Sequence, residues 1–181
     1  EFATNTSPAV AGGTGYVVAN DDLYALDVTD GTEQWVVGTG GSESGFITSP
    51  AVADGTVYIG GPNAGGSDDS VLAFDAADGS EQWRTEIPSV RQAPAVADGT
   101  VYVGSPDNSV YALDATDGST VWTVETGDQI QASPSIAEES VYVGSLDGNV
   151  YALNAADGTE LWTFGTGTEM YASPTVTADN I

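Results

Sequence analysis

The stretch Ala25-Leu-Asp27-Val-Thr-Asp30-Gly31-Thr-Glu-Gln-Trp35 decides the fold, because the same eleven-residue pattern returns three more times. The other copies span 73–83, 112–122 and 152–162, and each ends in a tryptophan. The four tryptophans are 48, 39 and 40 residues apart and account for every tryptophan in the chain. A period near 40 residues is typical of solenoids, propellers and repeat arrays.

Each unit contains four short β-rich runs separated by turns. In the third unit the runs are 93–97, 100–104, 109–114 and 119–125, and two of the turns are Asp98-Gly99 and Asp117-Gly118. Asp-Gly between alternating apolar residues is a strong hairpin signal. No window shows a helical period. Four antiparallel strands at this period predict a propeller blade.

The strands carry apolar residues on both faces. In the run 109–114, Val110 and Ala112 point one way while Tyr111 and Leu113 point the other. A sheet of this kind must be covered twice, which stacked blades achieve. We therefore predict one all-β propeller domain over 1–181, with four-stranded antiparallel blades at about 7–48, 49–92, 93–132 and 133–172. A partial fifth unit at 173–181 would add one extra strand.

Charge is the second strong signal. The chain has 27 acidic residues against two basic ones, Arg84 and Arg91, for a formal net charge of −25. Hydrophobic residues make up 40%, so the chain is not a disordered acidic segment. Such a charge favours solubility but destabilises the fold by self-repulsion, which molar salt screens. We expect a halophilic source, a haloarchaeon, with an acidic mesophilic protein as the alternative.

The same composition excludes several partners. Binding to nucleic acid or to an anionic membrane surface needs a basic footprint, which two arginines do not supply. No apolar run is long enough for membrane insertion. Cysteine and histidine are absent, so the chain has neither disulfides nor thiol chemistry. The single methionine is Met170, and we interpret the chain as a fragment or processed piece of a longer repeat protein.

The repeated motif, Ala-x-Asp-x-x-x-Gly-x-x-x-Trp, resembles the tryptophan-docking motif of the PQQ-type, quinoprotein-like β-propeller repeat family. Segments 49–60 and 109–114 are similar to the first three strands of that repeat, and the match covers residues 7–181. The chain departs from the pattern at Asn154, which replaces the motif aspartate, and at Glu138-Glu139, which replaces an Asp-Gly turn. The second unit also carries an insertion at 61–69.

The resemblance implies a docking role for three residues of each motif. In the family the tryptophan lies between blades, against the motif alanine and the backbone near a neighbouring motif's glycine. An indole buries a large area and needs a partner for its N–H, which fits this role. The residues concerned are Ala25, Gly31, Trp35, Ala73, Gly79, Trp83, Ala112, Gly118, Trp122, Ala152, Gly158 and Trp162.

The family includes quinoprotein dehydrogenases, which use pyrroloquinoline quinone (PQQ) and Ca²⁺, as well as non-catalytic scaffolds and cell-surface proteins. The dehydrogenases typically hold the quinone against a vicinal disulfide, which a chain without cysteine cannot form. We therefore infer no catalytic residue, no metal site and no cofactor, and keep PQQ with Ca²⁺ for the alternative interpretation. The Asp-Gly segments, including Asp114 to Gly118, are interpreted as hairpin turns rather than weak cation sites. The insertion with Asp68-Asp69 is the best cation candidate among them.

Residues that break the repeat frame are candidates for binding. Positions varied on a fixed scaffold are where ligand choice usually resides. They fall just before the unit prolines, where the chain crosses from one blade to the next and side chains would converge on a central opening. The alternative is that they only pack the crossover loops. The candidates are Phe46, Arg91, Gln92, Gln131 and Tyr171.

The sequence predicts a non-catalytic binding or scaffold module, extracellular or on the cell surface of a halophile. The alternative is part of a PQQ-dependent dehydrogenase whose cofactor residues lie elsewhere, and a third class is an assembly factor that binds a protein or peptide partner. Rings of this repeat usually have about eight blades, so an arc of four would expose two apolar faces. We expect two copies to pair as a homodimer that completes an eight-bladed ring, with a closed four-bladed ring as the alternative.

Overall fold

The computed structural model describes residues 6–39, 47–62 and 69–176. In this part of the chain all regular structure is β, in four antiparallel sheets of four strands, each sheet in simple sequence order. These sheets are the four blades predicted from the repeat, and the fold class is an all-β propeller architecture.

The strands of the first two blades lie on either side of residue 48. Blade 1 contains β1 (Ala9–Ala11), β2 (Thr14–Ala19), β3 (Asp22–Asp27) and β4 (Glu33–Gly38). Blade 2 contains β5 (Ala51–Ala53), β6 (Thr56–Pro62), β7 (Asp69–Asp75) and β8 (Glu81–Glu86).

The strands of the last two blades match each other in length. Blade 3 contains β9 (Ala95–Ala97), β10 (Thr100–Gly104), β11 (Ser109–Asp114) and β12 (Thr120–Glu125). Blade 4 contains β13 (Ser135–Ala137), β14 (Ser140–Gly144), β15 (Asn149–Asn154) and β16 (Glu160–Gly165).

Two compact units divide the chain, Glu1–Pro94 with blades 1 and 2, and Ala95–Ile181 with blades 3 and 4. The prediction of one domain over 1–181 is not tested by this division. Within each unit the first blade packs on the second.

Tight turns set the register of the short inner strands. Asp98 and Gly99 both have positive φ, 48° and 73°, as the primed two-residue hairpin turn requires. Blade 4 has a two-residue connection at the same place, in which only Glu138 has a positive φ, of 53°, and Ala137 still pairs with Ser140. The sequence departure at Glu138-Glu139 therefore keeps the register but places a glutamate in a left-handed conformation.

In the first unit, one face of blade 1 packs against the opposite face of blade 2. Blade 1 contributes Tyr16, Val18, Leu23 and Ala25, and Trp35 packs beside them. Blade 2 contributes the buried side chains Val57, Ile59, Leu72 and Phe74.

The second unit repeats this arrangement with blades 3 and 4. Tyr102, Val110, Ala112, Trp122 and Ile130 of blade 3 and its crossover loop form a cluster with blade 4. The blade 4 side chains in that cluster are Val141, Val143 and Leu153. The apolar residues predicted on both strand faces are thus buried at a blade junction.

A serine at the start of the predicted fifth unit makes the same hydrogen bond as the serine at the start of blade 2. The Ser133 backbone N–H donates to Ser173 Oγ over 2.9 Å, as the Ser7 N–H donates to Ser49 Oγ over 2.8 Å. The structure assigns no strand to residues 173–176, where the extra strand was predicted to start. Residues 177–181 lie outside the described part of the chain.

Candidate functional site

Each tryptophan of the motif starts from the same place in its own blade. Trp35, Trp122 and Trp162 are the Cα partners of Ala25, Ala112 and Ala152 across the two outer strands. A register shift follows this pair in every blade. The tryptophan also packs on a tyrosine of the second strand, with ring centroids 5.8–5.9 Å apart in all four blades.

The indole then reaches the next blade where one follows within the unit. Trp35 Nε1 donates to the carbonyl oxygen of Ala76 over 3.1 Å, and Trp122 Nε1 donates to that of Ala155 over 2.9 Å. The same two carbonyls also accept the hydroxyls of Tyr16 and Tyr102. Each of these carbonyl oxygens therefore accepts two hydrogen bonds, one for each lone pair.

The motif glycine receives the ring. A Cβ placed on Gly79 would lie 2.7 Å from Trp35, and one placed on Gly158 would lie 2.9 Å from Trp122. Both glycines have φ near 74°, which side chains rarely adopt. Any other residue at these positions would therefore clash with the indole ring and would also strain the backbone. The docking role of the whole motif set stays a prediction.

A second contact between blades was missed by the sequence analysis. Asp147 Oδ2 of blade 4 accepts the Gly127 N–H over 3.1 Å and also accepts the Tyr151 hydroxyl. Gly127 follows β12 of blade 3, so the carboxylate joins the two blades. Asp107 and Tyr111 form the equivalent pair in blade 3. The signal was present as an Asp-x-x-x-Tyr spacing in both units of the repeat.

Local hydrogen bonds hold these groups in fixed protonation states. Burial, the bond to Asp107 and the negative charge of Asp107 raise the pKa of Tyr111 to about 12. Hydrogen bonds from Tyr151 and Asn149 lower the pKa of Asp147 despite the burial that opposes them. Asp147 therefore accepts as a carboxylate at neutral pH, and Tyr111 and Tyr151 donate through their hydroxyls.

The motif aspartates are occupied by their own turns. Asp114 Oδ1 accepts the Thr116 N–H over 2.7 Å, and Asp117 Oδ1 accepts the Ser119 N–H over 2.9 Å. Asn154 makes the corresponding bond to Ala156, so the departure from aspartate keeps the turn. These bonds support the turn interpretation of this segment. Asp68 lies outside the described residues.

In three crossover loops one side chain packs on a glycine of the second strand of its blade. Ile130 is fully buried against Gly104, where a Cβ would overlap it, and Val90 is buried against Gly60 in the same way. Met170 packs on Gly144. The residue after each anchor is a candidate from the sequence, Arg91, Gln131 or Tyr171. The frame is thus constant while the following side chain varies.

Two of the candidates form hydrogen bonds with residues close by in the sequence. Gln131 Nε2 donates to Gln129 Oε1 over 2.9 Å, and the Tyr171 hydroxyl donates to Glu169 Oε2 over 2.7 Å. That bond and the charge of Glu169 raise the pKa of Tyr171. Arg91 is exposed and Gln92 is half-buried. Phe46 lies outside the described residues.

Each unit also has a cavity where its two blades meet at the inner turns. The cavity of the second unit, about 360 Å³, is lined by Asp98, Tyr102, Glu138, Glu139 and Ala155 among others. The first unit has a wider one of about 670 Å³ that includes Tyr16, Asp54 and Ala76. Their recurrence at equivalent positions ties them to the repeat architecture.

A bound Ca²⁺ needs several oxygen ligands that converge on one point. Over residues 6–39, 47–62 and 69–176, no three aspartate, glutamate, histidine or cysteine side chains come together as a metal site. Arg84, one of the two arginines, pairs with Glu81 at 2.9 Å on the outer strand of blade 2.

Solved structures with the same architecture include BamB, quinoprotein enzymes and a designed protein. BamB from Moraxella catarrhalis matches with a TM-score of 0.75 and 21% identity over 89% of this chain and 48% of its own. A quinohemoprotein alcohol dehydrogenase from Pseudomonas putida matches with a TM-score of 0.73 and 22% identity over 87% of this chain and 34% of its own. The computationally designed Ika8 protein matches with a TM-score of 0.74 and 18% identity over 91% of this chain and 50% of its own. These likenesses show the fold, and the chain spans half or less of each structure.

Sequence comparison gives the family. No curated protein sequence matches the chain. No helix long and apolar enough to cross a bilayer occurs among the described residues.

The profile described as outer membrane protein assembly factor BamB matches residues 2–67 and 67–180. With four repeated blades and a profile match over nearly its whole length, the chain belongs to this family of PQQ-type β-propeller repeats.

Proposed function

We propose that this chain is a non-catalytic binding or scaffold module that presents its crossover loops to a protein or peptide partner. The observation that carries the proposal is the loop pattern. A buried anchor, such as Ile130 on Gly104, fixes the backbone, and the next residue changes from arginine to glutamine to tyrosine along the repeat. Varied side chains on a rigid frame are typical of a recognition surface.

The chemistry of the remaining polar groups supports binding over catalysis. Motif carboxylates such as Asp114 and Asp117 accept hydrogen bonds from their own turns. Asp147 accepts hydrogen bonds from the Gly127 N–H and the Tyr151 hydroxyl of its own unit. These carboxylates are committed to structure, so a general base or a nucleophile has no evident source among them.

A selection experiment tests the proposal. Peptides would be selected on the immobilised protein in about 2 M KCl, where nonspecific charge attraction is screened. Their affinity would then be measured on a variant with Arg91→Ala, Gln131→Ala and Tyr171→Ala together. We expect a loss of about tenfold or more, or about 1.4 kcal/mol.

The matched control changes exposed residues on the outer strands. Val36→Thr and Val121→Thr alter side chains that are about half exposed and belong to no crossover loop. Selected peptides should bind this control as they bind the unchanged protein. Equal affinity for the triple variant, or a failure to select any peptide, would count against the crossover loops as the binding surface.

The second candidate is part of a PQQ-dependent dehydrogenase, favoured by the similarity to the alcohol dehydrogenase fold. Titration of the purified chain with the quinone and Ca²⁺, followed by absorbance, separates the two. If the chain is a non-catalytic binding module, the absorbance spectrum should remain that of free quinone. A shifted, saturable quinone spectrum would favour the enzyme.

The proposed setting is extracytoplasmic and halophilic. The family description as an outer membrane assembly factor supports a location outside the cytoplasm. The net charge of −25 with no lysine supports a haloarchaeal source. Thermal unfolding checks the second point, since the melting temperature should rise between about 0.1 and 2 M KCl as repulsion is screened. An unchanged melting temperature would contradict it.

A further inference from the structure

Seven Asp-Gly dipeptides occur in the chain, and their hydrogen bonds divide them into two classes. An aspartate followed by glycine can cyclise, because the glycine nitrogen reaches the side-chain carboxyl carbon and no Cβ on the glycine hinders the approach. The reaction needs a glycine N–H that is exposed to water and free of hydrogen bonds, and a carboxyl group that is free to turn. The hydrogen bonds and the exposure of each dipeptide therefore rank its reactivity.

The first class is formed by the motif turns, in which both reacting groups are held. In blade 3 the Gly118 N–H donates to the Asp114 carbonyl oxygen over 2.9 Å, and Asp117 Oδ1 accepts the Ser119 N–H over 2.9 Å. Gly118 is also buried. The motif turns of the other three blades repeat both bonds, at 2.8–3.0 Å.

Asp147-Gly148 joins this class through a different set of bonds. Gly148 is buried, and its N–H donates to the Ser145 carbonyl oxygen over 3.1 Å. Asp147 Oδ1 accepts the Asn149 N–H over 2.8 Å, and Oδ2 accepts the Gly127 N–H over 3.1 Å. With the four motif turns, five of the seven dipeptides are therefore held by the fold.

The second class comprises Asp54-Gly55 and Asp98-Gly99, the inner turns of blades 2 and 3. All of these residues are exposed. Within residues 6–39, 47–62 and 69–176, neither glycine N–H donates a backbone hydrogen bond. Neither aspartate carboxylate accepts a hydrogen bond in the same part of the chain. Both reacting groups are thus open to water.

The turn geometry explains this exposure. A primed hairpin turn pairs the two residues that flank it, here Ala97 and Thr100, and its two central residues extend past the end of the ladder. Blade 2 forms the same turn between Ala53 and Thr56.

We propose that Asp54 and Asp98 are sites of spontaneous isoaspartate formation, and that the fold protects the other Asp-Gly aspartates. At Asp98 the Gly99 nitrogen bonds to the side-chain carboxyl carbon, and the carboxyl hydroxyl leaves with the amide proton as water. Water then opens the succinimide ring. Cleavage at the side-chain carbonyl restores aspartate, whereas cleavage at the main-chain carbonyl leaves isoaspartate, with the peptide running through the former side chain.

The product changes the turn in which it forms. Isoaspartate at position 98 lengthens the main chain by one methylene group and leaves the α-carboxylate as a side group. Because loop length fixes the register of a hairpin, the Ala97–Thr100 pair is the contact that the reaction disturbs.

Blades 1 and 4 provide natural controls, since their inner turns are Gly12-Gly13 and Glu138-Glu139. Glycine has no carboxyl group. A glutamate has to close a larger imide ring, and the Cβ of the following residue hinders it. Glu138 has a φ of 53°, close to the 48° of Asp98, so glutamate is accommodated at this turn position.

Peptide mapping of the aged 181-residue chain tests the proposal. The folded protein is kept for weeks in about 2 M KCl and digested with chymotrypsin, which cleaves after Tyr102 and Trp122 and so separates Asp98 from Asp117. Isoaspartate appears as a second chromatographic peak of unchanged mass and is assigned by electron-transfer fragmentation. We expect Asp54 and Asp98 to form it about tenfold faster than Asp117, or more.

Two controls separate the effect of the fold from that of the sequence. In concentrated urea all seven dipeptides should react at similar rates, because the protecting bonds are lost. Asp98→Glu should abolish the product at its own turn and leave Asp54 unchanged. Asp54→Glu is the reciprocal variant if the first does not fold, which circular dichroism verifies. Equal rates at Asp98 and Asp117 in the folded chain, or isoaspartate at Asp98 only in urea, would overturn the proposal.

Discussion

Trp122 and Trp162 are the same residue in the same place of two consecutive blades, yet they have different surroundings. Both lie 5.8 Å from a tyrosine of their own blade. Trp122 is 8% exposed and bonded to Ala155, whereas Trp162 is 47% exposed. The difference is the presence of a following blade within the unit. The motif therefore places the indole locally, and the neighbouring blade supplies its burial and its hydrogen-bond acceptor.

Truncation of the two tryptophans should give the largest contrast. Trp122→Ala removes a buried side chain and leaves a cavity, for an expected loss of about 3–5 kcal/mol in the free energy of unfolding. Trp162→Ala removes a half-exposed one and should cost about 1 kcal/mol or less at protein concentrations where the chain is monomeric. Urea unfolding in high salt measures both.

Concentration provides the control for this pair. The effect of Trp122→Ala should not depend on protein concentration, because its contacts lie within one unit. The effect of Trp162→Ala should grow with concentration if a second copy covers the indole. Equal losses at low concentration would show that the next blade does not determine the burial of Trp122.

The receiving glycines offer a matched comparison. Gly158→Ala and Gly31→Ala carry the same backbone penalty, because both glycines have φ of 73°. That penalty is about 1–2 kcal/mol. Only at Gly158 would the new Cβ also meet the Trp122 ring, at 2.9 Å. Gly158→Ala should therefore be more destabilising by about 1–3 kcal/mol.

The measurement is the difference in unfolding free energy between the two alanine variants of the monomeric chain. Because the backbone term is common to both, the difference reports the contact with the indole. A difference near zero would mean that the ring moves away without loss, and that the glycine does not hold it.

The inner turns of blades 3 and 4 sharpen the comparison at a smaller scale. Glu138 has φ of 53° in a position that carries aspartate in blade 3, where Asp98 has φ of 48°. Glycine has no penalty in this conformation, so Glu138→Gly should stabilise the chain by about 1 kcal/mol. Asp98→Gly should gain less, since aspartate tolerates this region better. Thermal unfolding of both variants tests the ranking, and a loss of stability in Glu138→Gly would contradict it.

Acidification should change stability the least through these turns, and by the same amount in blades 3 and 4. Hydrogen bonds from the Ser119 hydroxyl and N–H lower the pKa of Asp117, and those from Thr159 lower the pKa of Asp157. A lowered folded-state pKa stabilises the fold above the ordinary aspartate pKa of about 3.9, and this contribution is lost as the pH falls through the folded value. In high salt, stability should therefore fall below about pH 4.

Asparagine variants isolate these turns. Asp117→Asn and Asp157→Asn should each lose slightly less stability on acidification than the unchanged protein, because the titrating group is gone. The change should be equal in the two variants, since the turns do not depend on a neighbouring blade. A larger change at Asp117 would mean that docking extends to the turn.

The fold could be predicted from the sequence because every blade repeats the same local sequence signals. The Asp-Gly turns, the alternating apolar residues and the tryptophan motif predict four antiparallel sheets of four strands, which the structure contains. The junctions beside Trp35 and Trp122 follow from apolar residues on both strand faces. The segment 173–176 carries the same sequence signal, but no strand is assigned to it in the described part of the chain.

The site was less accessible, for a physical reason. The candidates Arg91, Gln131 and Tyr171 stand out because they break the repeat, and sequence alone cannot show what they contact. The structure gives Gln131 and Tyr171 partners two residues away, in Gln129 and Glu169. The carboxylate of Asp147, which joins two blades, was hidden among 27 acidic residues because its role depends on a glycine twenty positions earlier.

Hydrogen exchange at the indole N–H groups tests the central claim most directly. By ¹⁵N nuclear magnetic resonance of the monomeric chain, the Trp35 and Trp122 indoles should exchange slowly, because their N–H groups are bonded to Ala76 and Ala155. The Trp162 indole should exchange rapidly, since its blade has no successor among the described residues. Rapid exchange at Trp122, or equal protection of Trp122 and Trp162 in the monomer, would contradict the account.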